Sequence, residues 1–305
     1  MIKSNEITAI VVTYNRCEML DKCLDAIRKQ DTKCDTIVID NASTDETPSV
    51  IEKFLGEGMH YVRLESNCGG AGGFCRGLKE SYSLGYKYFW LMDDDTIPEV
   101  DALSQLISAD ALLNHEYGFL SSAAIWTDGS MCRMNLQSFK KNHCDNVLLL
   151  SHGIIEIKKA TFVSFFVKRE MIEKVGLPIK EFFIWADDVE FSRRITIRFG
   201  IPSYLVAGSK VVHAMKDNKG SSLADASEDR ISRYRYAYRN ENYLYRKEGL
   251  KGWGIYTARC LLHIGRIISR SKGHKLYKIW IILSEYFKGL LFNPKIEMID
   301  CTDPH

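Results

Sequence analysis

Within the first 92 residues, four short β-prone runs alternate with three helical stretches. This alternation constrains the fold more than any other feature of the chain. The run ITAIVVT at 7–13 is continuously apolar or β-branched, as a strand buried on both faces requires. Residues 17–29 carry helical periodicity, with Met19, Leu20, Leu24 and Ile27 on one side. A second strand is expected at 36–40, a second helix at 49–55 and a third strand at 61–64. Glycines at 69–73 mark a turn before a helix ending near residue 84, and a fourth strand spans 88–92. This order predicts an α/β fold with a mostly parallel sheet flanked by helices.

Farther along, a helix is expected at 99–113 and strands at 118–125 and 160–167. A helical turn at 171–175 closes at Gly176, and another helix runs from the Asp187-Asp188 pair through Arg198. Short strands follow at 203–207 and 210–213. From about residue 226 the chain turns into long helical stretches rich in Tyr, Arg and Lys. The polar loop KDNKGSS places a boundary near residue 217, giving regions 1–217 and 218–305.

In open α/β sheets, ligands bind outside the carboxyl ends of the strands. Thr13-Tyr14-Asn15-Arg16, Asp40-Asn41, Asn67 and Asp93-Asp94-Asp95 all follow expected strand ends, so they gather along one edge. Three adjacent carboxylates repel one another, and a bound cation is the usual remedy. If strand geometry continues, Asp93 and Asp95 share a face while Asp94 points away. Hard divalent ions such as Mg2+ and Mn2+ favour such oxygens and leave positions for phosphate. His213 follows another strand, and an imidazole ligand would bias the site toward Mn2+; a surface loop histidine is the plainer account. Asp187-Asp188 form a second acidic pair after the aromatic stretch FFIW. Helix-dipole stabilisation accounts for one of these acids. An acceptor site with a general base accounts for both. The glycine run lets backbone approach a ligand or serves tight packing, and the sequence leaves both open.

The segments TAIVVTYNR, VIDNASTD, NCGGAGGFCRG, FWLMDDD, FIWADDVEFSRR and HAM resemble the inverting glycosyltransferases of family 2 over roughly residues 7–215. The resemblance implies a GT-A (Rossmann-like) fold with a C-terminal helical region. The glycine segment, triple Asp and Trp-x-Asp-Asp arrangement are similar to bacterial galactofuranosyltransferases, although related rhamnosyltransferases share much of the pattern. Generic members more often show Glu-Asp where this chain has Asp187-Asp188. The resemblance implies a UDP-sugar donor whose nucleotide is bordered by Thr13, Tyr14, Arg16 and Asp40. It counts Asn67, Arg76 and Asp94 with the donor site. It assigns Asp93, Asp95 and His213 to Mn2+ or Mg2+, Asp188 to the general base and Asp187 to acceptor binding. Trp185 becomes a platform for a sugar, where a core tryptophan is the plainer account.

The implied acceptor is a growing glycan or a polyprenyl-diphosphate-linked sugar. Rhamnosyl transfer from dTDP-rhamnose, or a non-catalytic sugar-nucleotide-binding partner of a synthase complex, are the alternatives. A net charge of +2 argues against nucleic acid as a partner. Nine cysteines without a CxxC pair argue against zinc. The N-terminus runs straight into a strand, so no export signal is expected and the cytoplasm is the expected compartment. No uncharged run approaches the roughly 20 residues of a bilayer span. Between Lys251 and Leu291 there are eight Lys/Arg and one acid, Glu285. Arg259, His263, Arg266 and Arg270 share a helical face, with Cys260, Leu261, Ile264 and Ile268 elsewhere on the wheel. Such a helix suits either the cytoplasmic face of the inner membrane, peripherally, or packing on the catalytic region or in an oligomer.

Overall fold

The computed structural model describes residues 3–141, 145–218 and 220–299. Strand β1 (Ile7–Thr13) is buried along its whole length because it lies between two helical layers. Its side chains alternate: Ile7, Ala9 and Val11 enter one core, Ile10 and Val12 the other. β2 (Asp35–Asp40) and β4 (Tyr88–Asp93) divide in the same way, with Val38, Trp90 and Met92 on one face and Ile37, Ile39, Phe89 and Leu91 on the opposite one. With β3 (Met59–Arg63) these strands form the parallel order β3-β2-β1-β4.

Helices α1 (Cys17–Arg28), α2 (Thr47–Glu52) and α3 (Gly69–Ser83) connect them. α1 buries Leu20, Cys23, Leu24 and Ile27 as one stripe, the face its periodicity announces. The glycine run departs from expectation: it forms the first turn of α3 instead of a turn before it. The reason is close approach. A Cβ at Gly69 would collide with the carbonyl of Phe183, and one at Gly73 would collide with Val12 of β1. Of the two roles the sequence leaves open, packing is the one with contacts.

The other half of the sheet is mixed. A short β5 (Thr96–Pro98) and α4 (Ala102–Leu112) precede β6 (Phe119–Ile125). After β7 (Ser138–Phe139), α5 (Val147–Ser151) and β8 (Ile154–Lys159), strand β9 (Phe165–Lys168) inserts antiparallel between β4 and β6. Only the end of the expected 160–167 strand is therefore strand. α6 (Arg169–Val175) stops at Gly176, whose φ is +79°. α7 (Asp187–Arg193) continues as a π-helical turn through Arg198. The two short strands expected near 203–213 are one strand, β10 (Ser203–His213), whose register against β6 shifts between Val206 and Lys210.

The C-terminal region comprises α8 (Glu228–Ile231), α9 (Tyr234–Lys247), α10 (Leu250–Arg270) and α11 (Lys275–Leu291). Tyr256, Ile267, Ile281 and Ile282 form its core, against which Trp185 packs from the sheet-bearing part. A smaller cluster joins Ala71, Ile179 and Phe182 to Tyr243 of α9. The following tail returns to the sheet-bearing part, where Glu297 pairs with Lys79 and Lys180. No helix among the described residues is long and apolar enough to cross a membrane.

Candidate active site at the carboxyl edge of the sheet

Thr13, Asp40 and Asp93 end the adjacent parallel strands β1, β2 and β4, so they share the carboxyl edge. β4 stops at Asp93, and the chain turns through Asp94 and Asp95 into β5. The extended geometry assumed for the three aspartates is thus replaced by a turn. The turn still brings Asp93 and Asp95 together, and antiparallel pairing of β5 with β10 sets Thr96 opposite His213. One ligand atom each from Asp93, Asp95 and His213 lie within 4.8 Å of one another.

The fit to a hard divalent cation can be tested on Asp95. Its Oδ1 is buried and has no aligned hydrogen-bond donor, although His213 Nε2 lies only 3.0 Å away. A buried carboxylate oxygen beside a second carboxylate and an imidazole suits Mn2+ or Mg2+. His213 is itself held by Asn135, whose buried Oδ1 lies 2.7 Å from Nδ1. That contact directs Nε2 toward Asp95, the usual supporting arrangement of a ligating histidine. Asn135 sits in a 3-10 turn within an irregular segment, where no periodicity marks it in the sequence.

Arg16 answers the repulsion among the aspartates. Its Nη1 lies 2.5 Å from Asp95 Oδ2 and 3.3 Å from Asp94 Oδ1, while Thr13 Oγ1 donates to Asp94 Oδ2 at 2.8 Å. Asp94 therefore faces β1 and α1. Burial pushes Asp93 up to about 7, helped by the neighbouring Asp95 charge and opposed by His213. Burial also raises Asp94 to about 6 against the pull of Arg16. At Asp95 burial is outweighed by His213 and Arg16, which hold its carboxyl below the usual range.

The other donor-side candidates are placed as follows. Tyr14 is exposed at the same edge. Asp40 is fully buried; Ser43 N–H donates to one oxygen and Tyr61 hydroxyl to the other, so it braces the 41–47 loop. Asn67 accepts the Gly69 N–H at 2.8 Å at the entrance to α3. Arg76 lies on the exposed side of α3, paired with Glu80 and with none of the clustered aspartates.

The second acidic pair opens α7. Before it, Phe183, Trp185 and Ala186 have φ of 63°, 67° and 64°. Left-handed backbone at non-glycine residues costs on the order of 1–3 kcal/mol each, so the surroundings must hold it. Trp185 meets Tyr234 edge-on at 4.7 Å and is half-buried, packed against the core of the C-terminal helices. Asp188 Oδ1 accepts the Val189 N–H at 2.6 Å, the helix-start contact the sequence allowed for. The helix start does not dominate its charge, however. Burial raises Asp188 to about 6, with the Val189 N–H and Lys159 pulling the other way. Asp187 is raised well above the usual range by burial and by the Asp188 charge, and it also feels Asp93. The two acidic pairs thus lie in one electrostatic neighbourhood.

The chain thus presents a mixed α/β sheet with an acidic carboxyl edge, and a second acid pair whose charges act on that edge. Residues 8–123 match the family described as Glycosyl transferase family 2. The chain is 28% identical over 272 residues to galactofuranosyltransferase GlfT1 of Mycolicibacterium smegmatis, covering 82% of this chain and 86% of that protein. Among solved structures, it aligns with a Pyrobaculum calidifontis mannosyltransferase in complex with GDP-Man and Mn2+ at TM-score 0.54 and 19% identity, covering 94% and 86% of the two chains. It aligns with GalNAc-T7, solved with UDP, GalNAc and Mn2+, at TM-score 0.59 and 15% identity. That match covers 78% of this chain and spans half (50%) of that longer chain. Residues 8–123 thus match a family 2 glycosyltransferase domain, and the chain shares the GT-A fold of these solved glycosyltransferases.

Proposed function

We propose that this protein is a metal-dependent, inverting galactofuranosyltransferase that takes its sugar from UDP-galactofuranose. The acceptor is a cell-surface glycan or its lipid-linked precursor. The observation that carries the reading is the convergence of Asp93, Asp95 and His213 at the carboxyl edge of the sheet, with the Asp187-Asp188 pair close enough for its charge to act on Asp93. Similarity to GlfT1 along most of both chains supports the choice of donor. We assign residues 1–217 to the catalytic region and 218–305 to a helical region that supports it.

Thr13, Tyr14 and Arg16 border the nucleotide, with Asp40, Asn67, Arg76 and Asp94 shaping or lining the donor side. Asp93, Asp95 and His213 hold the cation, whose chemistry when bound is to neutralise charge on the diphosphate. Asp187 hydrogen-bonds the acceptor, and Trp185 walls the sugar. Asp188 takes the proton of the acceptor hydroxyl while that oxygen bonds to the anomeric carbon. The bond from that carbon to the diphosphate breaks in the same displacement, UDP departs, and the centre inverts. A panel of radiolabelled UDP- and dTDP-sugars, assayed for Mn2+-dependent release, tests the donor. Release from UDP-galactofuranose is expected; turnover of dTDP-rhamnose alone would overturn the assignment.

We also place the outer faces of α10 and α11 on the anionic cytoplasmic surface of the inner membrane. Leu276, Trp280, Leu283, Phe287 and Leu291 form an exposed stripe at helical spacing on α11, and Leu261, Leu262 and Ile268 are exposed on α10. The flanking Arg266, Arg270, Lys272 and Lys275 are exposed, and the single acid of this stretch, Glu285, is buried. Arg259 does not belong to this basic face: it turns inward to Glu241 at 2.5 Å and lies over Tyr245. Reversing Arg266, Arg270 and Lys272 to Glu is expected to release the protein from anionic liposomes. Each basic residue at such a surface is worth about 1 kcal/mol. Raised salt should act in the same direction. Failure of the intact protein to bind anionic liposomes at low salt would refute the placement.

A further inference from the structure

The left-handed loop before α7 is held by a side chain from the C-terminal region. Asn240 of α9 is fully buried, and its amide nitrogen donates to three main-chain carbonyls: Phe182 at 2.9 Å, Ile184 at 3.2 Å and Trp185 at 2.9 Å. Its Oδ1 accepts from the neighbouring Arg239, at 3.0 Å from Nε and 2.9 Å from Nη2. Arg239 Nη2 reaches onward to the carbonyl of Glu181 at 2.7 Å. The carbonyl of Phe183 is taken from the other side by Ala71 N–H of α3 at 3.1 Å. The Phe183 ring stacks on Tyr236, and Trp185 rests on Tyr234, both from α9. The carbonyls of Glu181, Phe182, Ile184 and Trp185 are thus gripped by one helix that contributes nothing to the sheet, and that of Phe183 by α3.

The loop needs such a grip. Three of the four residues from Phe183 to Ala186 occupy left-handed backbone without being glycine, a conformation that persists only when its surroundings impose it. Two amide N–H groups shared among three carbonyls meet that need, because unpaired carbonyls buried here would favour a different loop. The loop delivers Asp187 and Asp188 directly, since α7 begins at Asp187. A shift of about 1 Å at such a group is enough to cost on the order of a hundredfold in rate.

Resting on the glycosyl-transfer reading above, we infer that Asn240 is a positioning residue for Asp187 and Asp188, acting through the carbonyls of residues 182, 184 and 185. The helical region is on this account part of the acceptor half of the site. Asn240 touches neither the cation ligands nor the donor-side residues, so donor and acceptor functions separate when it is changed.

Two variants test this in the full chain. Asn240→Asp keeps the shape but turns acceptor oxygens toward three carbonyls, and Asn240→Ala removes the amide. For both, kcat should fall at least about tenfold. The KM for the UDP-sugar and the Kd for UDP with Mn2+ should stay within about twofold, the split that marks a lost transition-state interaction. Amide hydrogen exchange should rise at 183–189 while β1, β4 and α3 keep their protection. Unchanged kcat overturns the inference. So does a parallel loss of UDP binding with faster exchange throughout, since that marks a general packing role. If the unaltered chain releases sugar from no donor, the functional reading fails by itself. Exchange then decides the inference: unaltered protection at 183–189 in both variants overturns it, and selective loss there sustains the grip.

Discussion

Replacing Asp188 by Asn is expected to cut kcat by at least about a hundredfold, the scale of general-base catalysis, with donor affinity near that of the intact protein. The amide is isosteric and its oxygen can still accept the Val189 N–H that holds Asp188 Oδ1 at 2.6 Å. What disappears is the capacity to take a proton. The choice of Asp188 over its neighbour follows from their environments. Burial lifts Asp188 to about 6, so it is ionised at neutral pH. Burial and the Asp188 charge lift Asp187 well above the usual range, which favours its neutral form over that of Asp188 and suits the acceptor-binding role proposed for it. Two acids driven apart in this way are the pattern on which the proposed base and its companion rest. The pH dependence carries a sign. A base works only when ionised, so kcat should fall as pH drops through about 6 and be flat above it. Asp188→Asn should abolish that limb, while Asp187→Asn should mainly raise the acceptor KM. Normal turnover by the Asp188 variant would transfer the role of base to Asp187.

The parallel half of the fold is legible because its central strands β1, β2 and β4 are buried on both faces, and a run such as Ile7–Thr13 can hardly be anything else. The clustering of Thr13, Asp40 and Asp93 follows from that alone, since parallel neighbours end on one edge. The mixed half is opaque for a matching reason. Whether β9 enters antiparallel between β4 and β6 depends on long-range pairing that no local pattern encodes. The pairing of β5 with β10 is equally hidden, yet it sets His213 beside Asp95. Supporting residues are the hardest to read. Asn135 and Asn240 are buried asparagines whose value lies in partners far along the chain, His213 and the carbonyls of 182, 184 and 185. Helical spacing alone also misassigned Arg259, because a wheel gives angles and cannot say that Glu241 waits on the inner side.

Replacing Asp95 by Ala is expected to abolish activity and, separately, the Mn2+-dependent part of UDP binding. Asp95 is the hinge of the acidic edge: buried Oδ1 lies 3.0 Å from His213 Nε2 and close to Asp93, and Oδ2 receives Arg16 at 2.5 Å. Loss of a hydrogen bond that merely supports a ligand costs metal sites roughly 10- to 100-fold in affinity, so loss of a direct carboxylate ligand should cost at least as much. Folding should survive. Asp95 is held below the ordinary carboxylate range by His213 and Arg16 against the effect of burial, but removing it also relieves repulsion on Asp93 and Asp94, whose carboxyls are raised. Arg16 keeps a partner in Asp94. Calorimetry of UDP binding with Mn2+ and with EDTA, on the intact protein and the variant, separates cation loss from unfolding. The intact protein should lose tight UDP binding in EDTA, and the variant should bind equally weakly in both. Full turnover by the intact protein in EDTA would remove the cation from this site, leaving Arg16 as the positive charge available to a diphosphate there.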